Sequence, residues 1–135
     1  MFLTKLQRED RIGYLNRLKG KLSVQTISKL IKLNCLHDSY IQKIELNYRT
    51  TSFHKQYIDI VFGINYEGVS YSVLCKNVLS CNMAMNYLSH RDAGCWIVDT
   101  ALDVNEGSLN IIFVMKDWGD IESKIQIKAQ RIIIK

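Results

Sequence analysis

Alternation of apolar and polar side chains dominates the chain from residue 40 onward and constrains its fold more than any other feature. In the first alternating run, Ile44, Leu46 and Tyr48 share one side, and polar or charged residues occupy the positions between them. Period-two alternation is typical of a strand with one buried face. The run follows a basic segment with helical spacing, from which the polar turn at 37–39 separates it. The sequence therefore predicts a change from helix to sheet at this turn, with Ile44, Leu46 and Tyr48 facing the core.

Further alternating runs follow, and each is bounded by residues that favour turns. They cover residues 56–64, 69–75, 96–102, 109–115 and 121–134. Residues 76–94 fit neither the strand nor the helix period, and we expect a short strand followed by a helical turn there.

The last strand changes its apolar side near Gln130. Ile125 and Ile127 share one phase, whereas Ile132 and Ile134 share the other. Either a bulge, or a bend after which the strand is buried on its other face, would produce this change.

Two helices are predicted before the sheet. Thr4 and Gln7 have the spacing of a capping box for the first helix, and Gly20 is a natural stop. Ser23 is the expected N-cap of the second helix. Apolar residues recur in that helix at three- and four-residue spacing: Val24, Ile27, Leu30 and Ile31.

This order of elements predicts the fold class. Two leading helices and about six strands, without βαβ alternation, indicate an α+β fold in which the N-terminal helices pack on an antiparallel, strongly twisted sheet. A chain of 135 residues is expected to form one domain over 1–135, with a basic helical segment at 1–33 and a β-rich core at 34–135.

The composition limits the cellular location and the cysteine chemistry that we expect for this chain. No apolar run approaches the roughly 18 residues that cross a bilayer, and no signal-peptide core is visible, so a cytoplasmic location is expected. Reduced thiols are expected at the cysteines, whose spacing matches no standard zinc pattern: Cys35, Cys75, Cys81 and Cys95. Neither a metal site nor a cofactor is predicted.

The net charge of +5 is unevenly spread along the chain. Residues 1–33 hold eight basic and two acidic residues, a net charge of +6, whereas residues 34–115 carry −3. A basic segment of this kind is either a solvated helix face or a surface for phosphates or an acidic partner.

Catalytic motifs do not appear in the sequence, and an enzyme is not expected. Paired carboxylates, a nucleophile elbow, a phosphate loop and an HExxH motif are all lacking. His37 and Asp38 are adjacent, and neighbouring side chains on an extended segment point to opposite sides. We therefore expect Asp38 or Ser39 to bond backbone amides in a structural turn that leads into the first strand.

The tetrapeptide Leu36-His37-Asp38-Ser39, followed by Ile44-Glu45 and the strand 58–60, resembles small bacterial immunity-like proteins of the LHDS type. The closing stretch 125–134 is also similar to the last strand of such proteins. These groups belong to polymorphic toxin and contact-dependent growth inhibition systems. The resemblance implies a protein that neutralises a cognate toxin, the C-terminal domain of a larger exported protein, by covering or locking its active site. No catalysis and no membrane contact are implied.

The surface that would bind such a toxin has two candidates in the sequence. An acidic patch with an aromatic anchor would suit a basic toxin, and its candidate residues are Asp92, Asp99, Asp103, Glu106 and Trp118. The N-terminal lysines and arginines would instead face an acidic toxin. Outside the resemblance, the alternative is a small nucleic-acid-binding protein that uses the same basic helices.

Overall fold

A computed structural model describes residues 2–51, 53–86, 96–117 and 120–135. A 3-10 turn (Leu3–Lys5) precedes the helices α1 (Arg8–Arg17) and α2 (Val24–Lys32), and a second 3-10 turn (Asn34–Leu36) leads into the sheet. The strands are β1 (Tyr40–Thr50), β2 (Gln56–Tyr66), β3 (Val69–Ala84), β4 (Trp96–Asn105), β5 (Ser108–Lys116) and β6 (Glu122–Ile134). Because all of them pair antiparallel, the predicted α+β fold with N-terminal helices is confirmed.

The sheet closes on itself in the order β1-β2-β3-β6-β5-β4. The closing contact is short, since Tyr40 and Trp96 are the one pair that joins β1 to β4 in the described part of the chain. Their rings meet edge to face with centroids 6.5 Å apart. Farther along β4, Phe2 forms a bridge to Ala101, so the N-terminal segment borders β4 where β1 has moved away.

The core is shared by the sheet and the helices. Phe62 of β2 and Phe113 of β5 are fully buried and meet edge to face, with ring centroids 5.5 Å apart. Leu15 of α1 and Leu30 of α2 belong to the same buried cluster. The leucine stripes of the helices therefore cover the sheet, as their spacing predicts. None of the helices in the described ranges is long and apolar enough to span a membrane.

The start of the first helix differs from the prediction. Helix α1 begins at Arg8 with Gln7 as its N-cap and no side-chain cap. The Thr4 hydroxyl donates instead to Asp99 of β4, so the capping box is wrong. The second cap is confirmed, because the backbone N–H of Thr26 donates to Ser23 Oγ at 3.2 Å.

Strand β3 is longer than predicted. It runs to Ala84, so the short strand expected at the start of 76–94 is present as a continuation of β3, and the helical turn expected after it falls largely on residues 87–95, outside the described ranges. The β3–β6 ladder keeps one register from Val73↔Ile134 to Val78↔Ala129 and shifts only between Val78 and Ser80.

Strand β6 buries opposite sides before and after Gln130. Ala129 and Ile132 are both buried, although they lie three residues apart. The pairing of β6 with β3 keeps one register between Ala129 and Ile132, so no bulge in β6 causes the change. The strand is instead buried on its other face after Gln130, the second of the two predicted alternatives. Asn77, which lies between the paired residues Lys76 and Val78 of β3, has the left-handed φ of 53°.

The apolar face predicted for β1 is not in the core. Ile44, Leu46 and Tyr48 are 37, 50 and 60% exposed. Their partners in β2 include Phe62 and Ile60, which are fully buried, so burial stops between the two strands. The prediction is wrong because alternation shows which side chains share a face but not whether another element packs over that face, and these three remain exposed.

Candidate protein-binding surface

Polar side chains form a row across four strands on the outer face of the sheet. The strand register places Ser80 of β3 opposite Lys128 of β6, Lys128 opposite Asn110 of β5, and Asn110 opposite Asp103 of β4. Side chains alternate along each strand, and the neighbouring Ile127, Ile111 and Leu102 are buried in the core. We call Ser80, Lys128, Asn110 and Asp103 the polar row.

A cavity of about 440 Å³ lies along the polar row. It is lined by Ser80, Asp103, Val104, Asn105, Asn110, Gln126 and Lys128. Gln126 Nε2 donates to Asn110 Oδ1 at 3.4 Å, a long bond that leaves both amides able to bond other groups. The lining combines a carboxylate, an ammonium group and three amides, so it can hold a polar side chain of a partner by hydrogen bonds.

Asp103 is held in place by helix α1. The Tyr14 hydroxyl lies 2.7 Å from the Leu102 carbonyl oxygen and 3.1 Å from Asp103 Oδ1. Burial, followed by the negative charge of Asp103 and its hydrogen bond, raises the pKa of Tyr14, and Arg17 opposes this rise. Tyr14 therefore remains a protonated donor at neutral pH, and it fixes the orientation of the carboxylate at one end of the polar row.

Glu106 lies beside the cavity in the turn between β4 and β5. Glu106 and Gly107 have left-handed φ values of 50° and 80°, the pattern of a tight hairpin turn. The Glu106 side chain is exposed, and its neighbour Asn105 lines the cavity. The structure therefore brings two of the predicted acidic residues, Asp103 and Glu106, to one end of the sheet.

The other predicted contact residues lie elsewhere or are not described. Asp99 is buried, and its carboxylate accepts the Thr4 hydroxyl and the backbone N–H of Thr100, the latter at 2.9 Å. It thus joins the N-terminal turn to β4 and is less accessible than Asp103 and Glu106. Asp92 and Trp118 lie outside the described residues.

The turn at residues 37–39 docks onto β4. The backbone N–H of Asp38 donates to the Ile97 carbonyl at 2.8 Å, and the N–H of Ile97 donates to the Ser39 carbonyl at 2.8 Å. The Ser39 hydroxyl donates to the Leu36 carbonyl rather than accepting from an amide. These bonds join the start of β1 to β4.

His37 and Asp38 do pair, contrary to the sequence argument. His37 Nδ1 lies 3.1 Å from Asp38 Oδ2. In an extended backbone the two side chains would point apart, but Asp38 has a φ of 65°, which turns its side chain back toward His37. Left-handed backbone at non-glycine residues has little sequence signal, and Asn34, Cys35 and Leu36 share it.

Several of the N-terminal basic residues have contacts within the protein. Arg11 donates from Nε to the Leu3 carbonyl at 2.9 Å and from Nη2 to the Leu6 carbonyl at 3.2 Å. Lys29 Nζ lies 5.2 Å from the centre of the Tyr71 ring. Other basic residues of this segment are exposed to solvent: Arg8, Lys19, Lys21 and Lys32.

Sequence reasoning missed most of the polar row. Its members Ser80, Asn110 and Lys128 are ordinary polar positions of alternating strands, as is Gln126 of the cavity lining, and these residues meet only through pairing between strands. The turn at 105–108 carried a usable signal for one pair, since counting outward from it places Asp103 opposite Asn110.

Among the described residues, no group of three or more His, Cys, Asp or Glu side chains lies close enough to hold a metal ion. In comparisons with known proteins, no protein-family model and no curated protein sequence matches this chain.

Proposed function

We propose that this chain is an immunity protein that binds a cognate bacterial toxin in the cytoplasm and blocks its active site without catalysis of its own. The observation that carries the proposal is the polar row, which ends at Asp103, together with its cavity and the exposed Glu106 beside it. The resemblance of residues 36–39 and 125–134 to immunity-like proteins supports the same function.

Neutralisation would proceed by occlusion. A basic or amide side chain of the toxin enters the cavity and bonds Asp103 and the amides of Asn105 and Asn110. Deep, desolvated contacts of this type supply most of the binding free energy in protein interfaces. A standard interface buries about 800 Å² on each partner, enough to cover a catalytic cleft beside the anchor.

Charge favours a toxin that is basic at the contact. Asp103 lines one end of the cavity and the exposed Glu106 lies beside it, whereas Lys128, the one cation among the described lining residues, lies two strands away. Complementary charge speeds association and selects the partner. The proposed partner is therefore the C-terminal domain of a larger exported protein, with lysine or arginine around its active site.

Co-expression tests the proposal. The product of the gene immediately upstream is expressed with or without this chain, and growth and co-purification are measured. We expect growth rescue and a stoichiometric complex. Absence of toxicity, or a toxin that is neither neutralised nor retained, would overturn the proposal.

A matched pair of variants locates the surface. Glu67 and Gly68, in the β2–β3 turn, have φ values of 50° and 83°, nearly those of Glu106 and Gly107. Glu106→Lys and Glu67→Lys therefore change the net charge equally in equivalent turns. We expect only Glu106→Lys to reduce rescue, and equal reduction would place the contact elsewhere.

Nucleic-acid binding by the basic helices is the second candidate, favoured by the exposure of Arg8, Lys19, Lys21 and Lys32. Binding of this kind falls steeply with salt and tolerates many sequences. Titration of a fluorescent single-stranded oligonucleotide at about 50 and about 200 mM salt therefore separates it from toxin binding, which is specific to one protein.

A further inference from the structure

Strand β1 has an outer edge that no strand covers in the described part of the chain. Its pairing with β4 ends at Tyr40, whereas its pairing with β2 continues from Lys43 to Thr50. An edge of this length with exposed apolar side chains is a template for another strand, and proteins commonly blunt or cover it. Ile44, Leu46 and Tyr48 are exposed on one face of this edge.

The direction of the unpaired backbone groups follows from the ladder with β2. The N–H of Thr51 donates to the Lys55 carbonyl at 2.9 Å, and the register from Lys43 to Thr50 is constant. Because hydrogen-bonded and non-hydrogen-bonded pairs alternate, the odd-numbered residues bond β2. The N–H and C=O groups of residues 44, 46, 48 and 50 therefore point to the open edge.

The side chains of β1 are complementary to themselves about Asn47. In an antiparallel pairing with a two-fold axis at Asn47, Glu45 lies opposite Arg49 of the second copy, and Leu46 lies opposite Tyr48. Opposite charges and aliphatic–aromatic pairs stabilise neighbouring strands. Moving the axis to Leu46 loses this match, because it places Lys43 opposite Arg49, and moving it to Glu45 places the two Glu45 residues opposite each other.

The charges within each copy extend the same pattern. Lys43 pairs with Glu45 in β1, and Arg49 pairs with Asp59 of β2. Across the two-fold axis, Glu45 of one copy meets Arg49 of the second copy. Lys43, Glu45, and then Arg49 and Asp59 of the second copy therefore form a row of side chains whose charges alternate in sign. On the other face, Ile44, Leu46 and Tyr48 of both copies form one apolar strip.

We propose that β1 pairs with β1 of a second copy of this chain, antiparallel and centred on Asn47, to form a symmetric homodimer. A two-fold interface of this kind uses the same surface on both copies. The groups of residues 44, 46, 48 and 50 bond across the axis, and the two Asn47 residues face each other as a non-hydrogen-bonded pair. The pairing does not depend on the proposed toxin binding and uses none of the polar row.

The oligomeric state tests the proposal with the purified chain. Light scattering after gel filtration at about 100 μM should give twice the mass of one chain. Leu46→Lys brings a lysine to the centre of the strip and should give a monomer. Leu79→Lys is the matched control, since Leu79 is a strand leucine that is 56% exposed outside β1, and it should remain dimeric. A monomeric wild-type chain, or equal effects of the two variants, would overturn the dimer.

A cross-link tests the register. Cα atoms of a non-hydrogen-bonded pair lie about 4.5 Å apart, within the range of a disulfide. With Cys81 and Cys95 replaced by serine, mild oxidation should link Asn47→Cys chains into dimers, whereas Asn82→Cys chains, with the new thiol at an exposed position of β3, should stay monomeric. Equal cross-linking at the two positions would contradict the register.

Hydrogen exchange of the backbone amides distinguishes pairing with a second copy from pairing with a strand of the toxin. We expect the amides of residues 44, 46, 48 and 50 to gain protection as the concentration of the chain rises, while those of 45, 47 and 49 stay protected by β2. Protection of the even-numbered amides only after toxin is added would overturn the homodimer and assign the edge to a strand of the toxin.

Discussion

Arg49 of β1 and Asp59 of β2 form an ion pair through two hydrogen bonds, Nε to Oδ2 at 2.7 Å and Nη2 to Oδ1 at 3.1 Å. The Asp59 side chain is only 8% exposed, and it also accepts the backbone N–H of Asn77 at 3.0 Å. Asn77 in turn donates to Gln130 Oε1 at 2.9 Å. One carboxylate thus organises β1, β2 and β3, and through Asn77 it reaches β6 where β6 changes its buried side.

Replacing Asp59 should destabilise the fold. Asp59→Asn removes the charge and leaves an amide N–H₂ group facing the Arg49 guanidinium and the Asn77 N–H. We expect the free energy of unfolding to fall by about 2 kcal/mol, because the Asn77 N–H and the half-exposed Arg49 guanidinium lose the charged acceptor that the buried Asp59 supplies. Urea denaturation measures it, and Asp120→Asn, at an exposed turn position, should change stability by less than about 0.5 kcal/mol.

The contribution of Asp59 should depend on pH. The hydrogen bond from Arg49 lowers the pKa of Asp59 more than burial raises it. Since the folded pKa lies below the unfolded value of about 3.9, the stabilisation is complete above about pH 5 and is lost as the pH falls through the lowered pKa. The stability difference between wild type and Asp59→Asn should therefore be constant from pH 7 to 5 and shrink below pH 4. A difference unchanged at pH 2.5 would contradict this origin.

The Phe62–Phe113 contact should be a major source of stability. Phe62→Ala opens a cavity at the centre of the core, and losses of about 3–5 kcal/mol are typical of such changes. Phe53→Ala is the control, because Phe53 is 83% exposed. Thermal and urea unfolding should rank the two variants clearly, and similar stabilities would place the core elsewhere.

Thiol reactivity should follow burial. Burial raises the pKa of Cys35 to about 11 and that of Cys75 to about 12, whereas Cys81 is exposed. At pH 8 only about one in a thousand Cys35 thiols is ionised, and the thiolate is the reactive form. A disulfide reagent should therefore modify Cys81 in the folded protein and reach Cys35 and Cys75 only on unfolding. Rapid modification of Cys35 in the folded Cys81→Ser variant would contradict the burial.

The sequence predicted the secondary-structure elements more accurately than it predicted which elements lie next to each other. Alternation and turn residues are local, so all six strands and both helices were predicted in order. The Thr4–Asp99 bond spans 95 positions of the chain and replaces a plausible local cap. Likewise, the exposure of Leu46 follows from where β4 leaves β1, which no local pattern encodes.

The candidate surface was predicted only in part. Asp103 and Glu106 were found because they are acidic and close in sequence. Their amide and lysine neighbours come from β5 and β6, so the cavity exists only after pairing. Asp99 has the same side-chain chemistry as Asp103, yet it is buried because the N-terminal turn packs over it, a contact between the two ends of a long sequence interval.

Binding of the purified toxin measures the central claim most directly. Titration calorimetry at fixed salt would compare wild type, Glu106→Lys and Glu67→Lys. We expect tight binding by wild type and Glu67→Lys within about twofold of each other, and at least tenfold weaker binding by Glu106→Lys, a loss of about 1.4 kcal/mol. Equal affinities for the two variants would contradict the proposed surface, and no binding by wild type would contradict the proposed function.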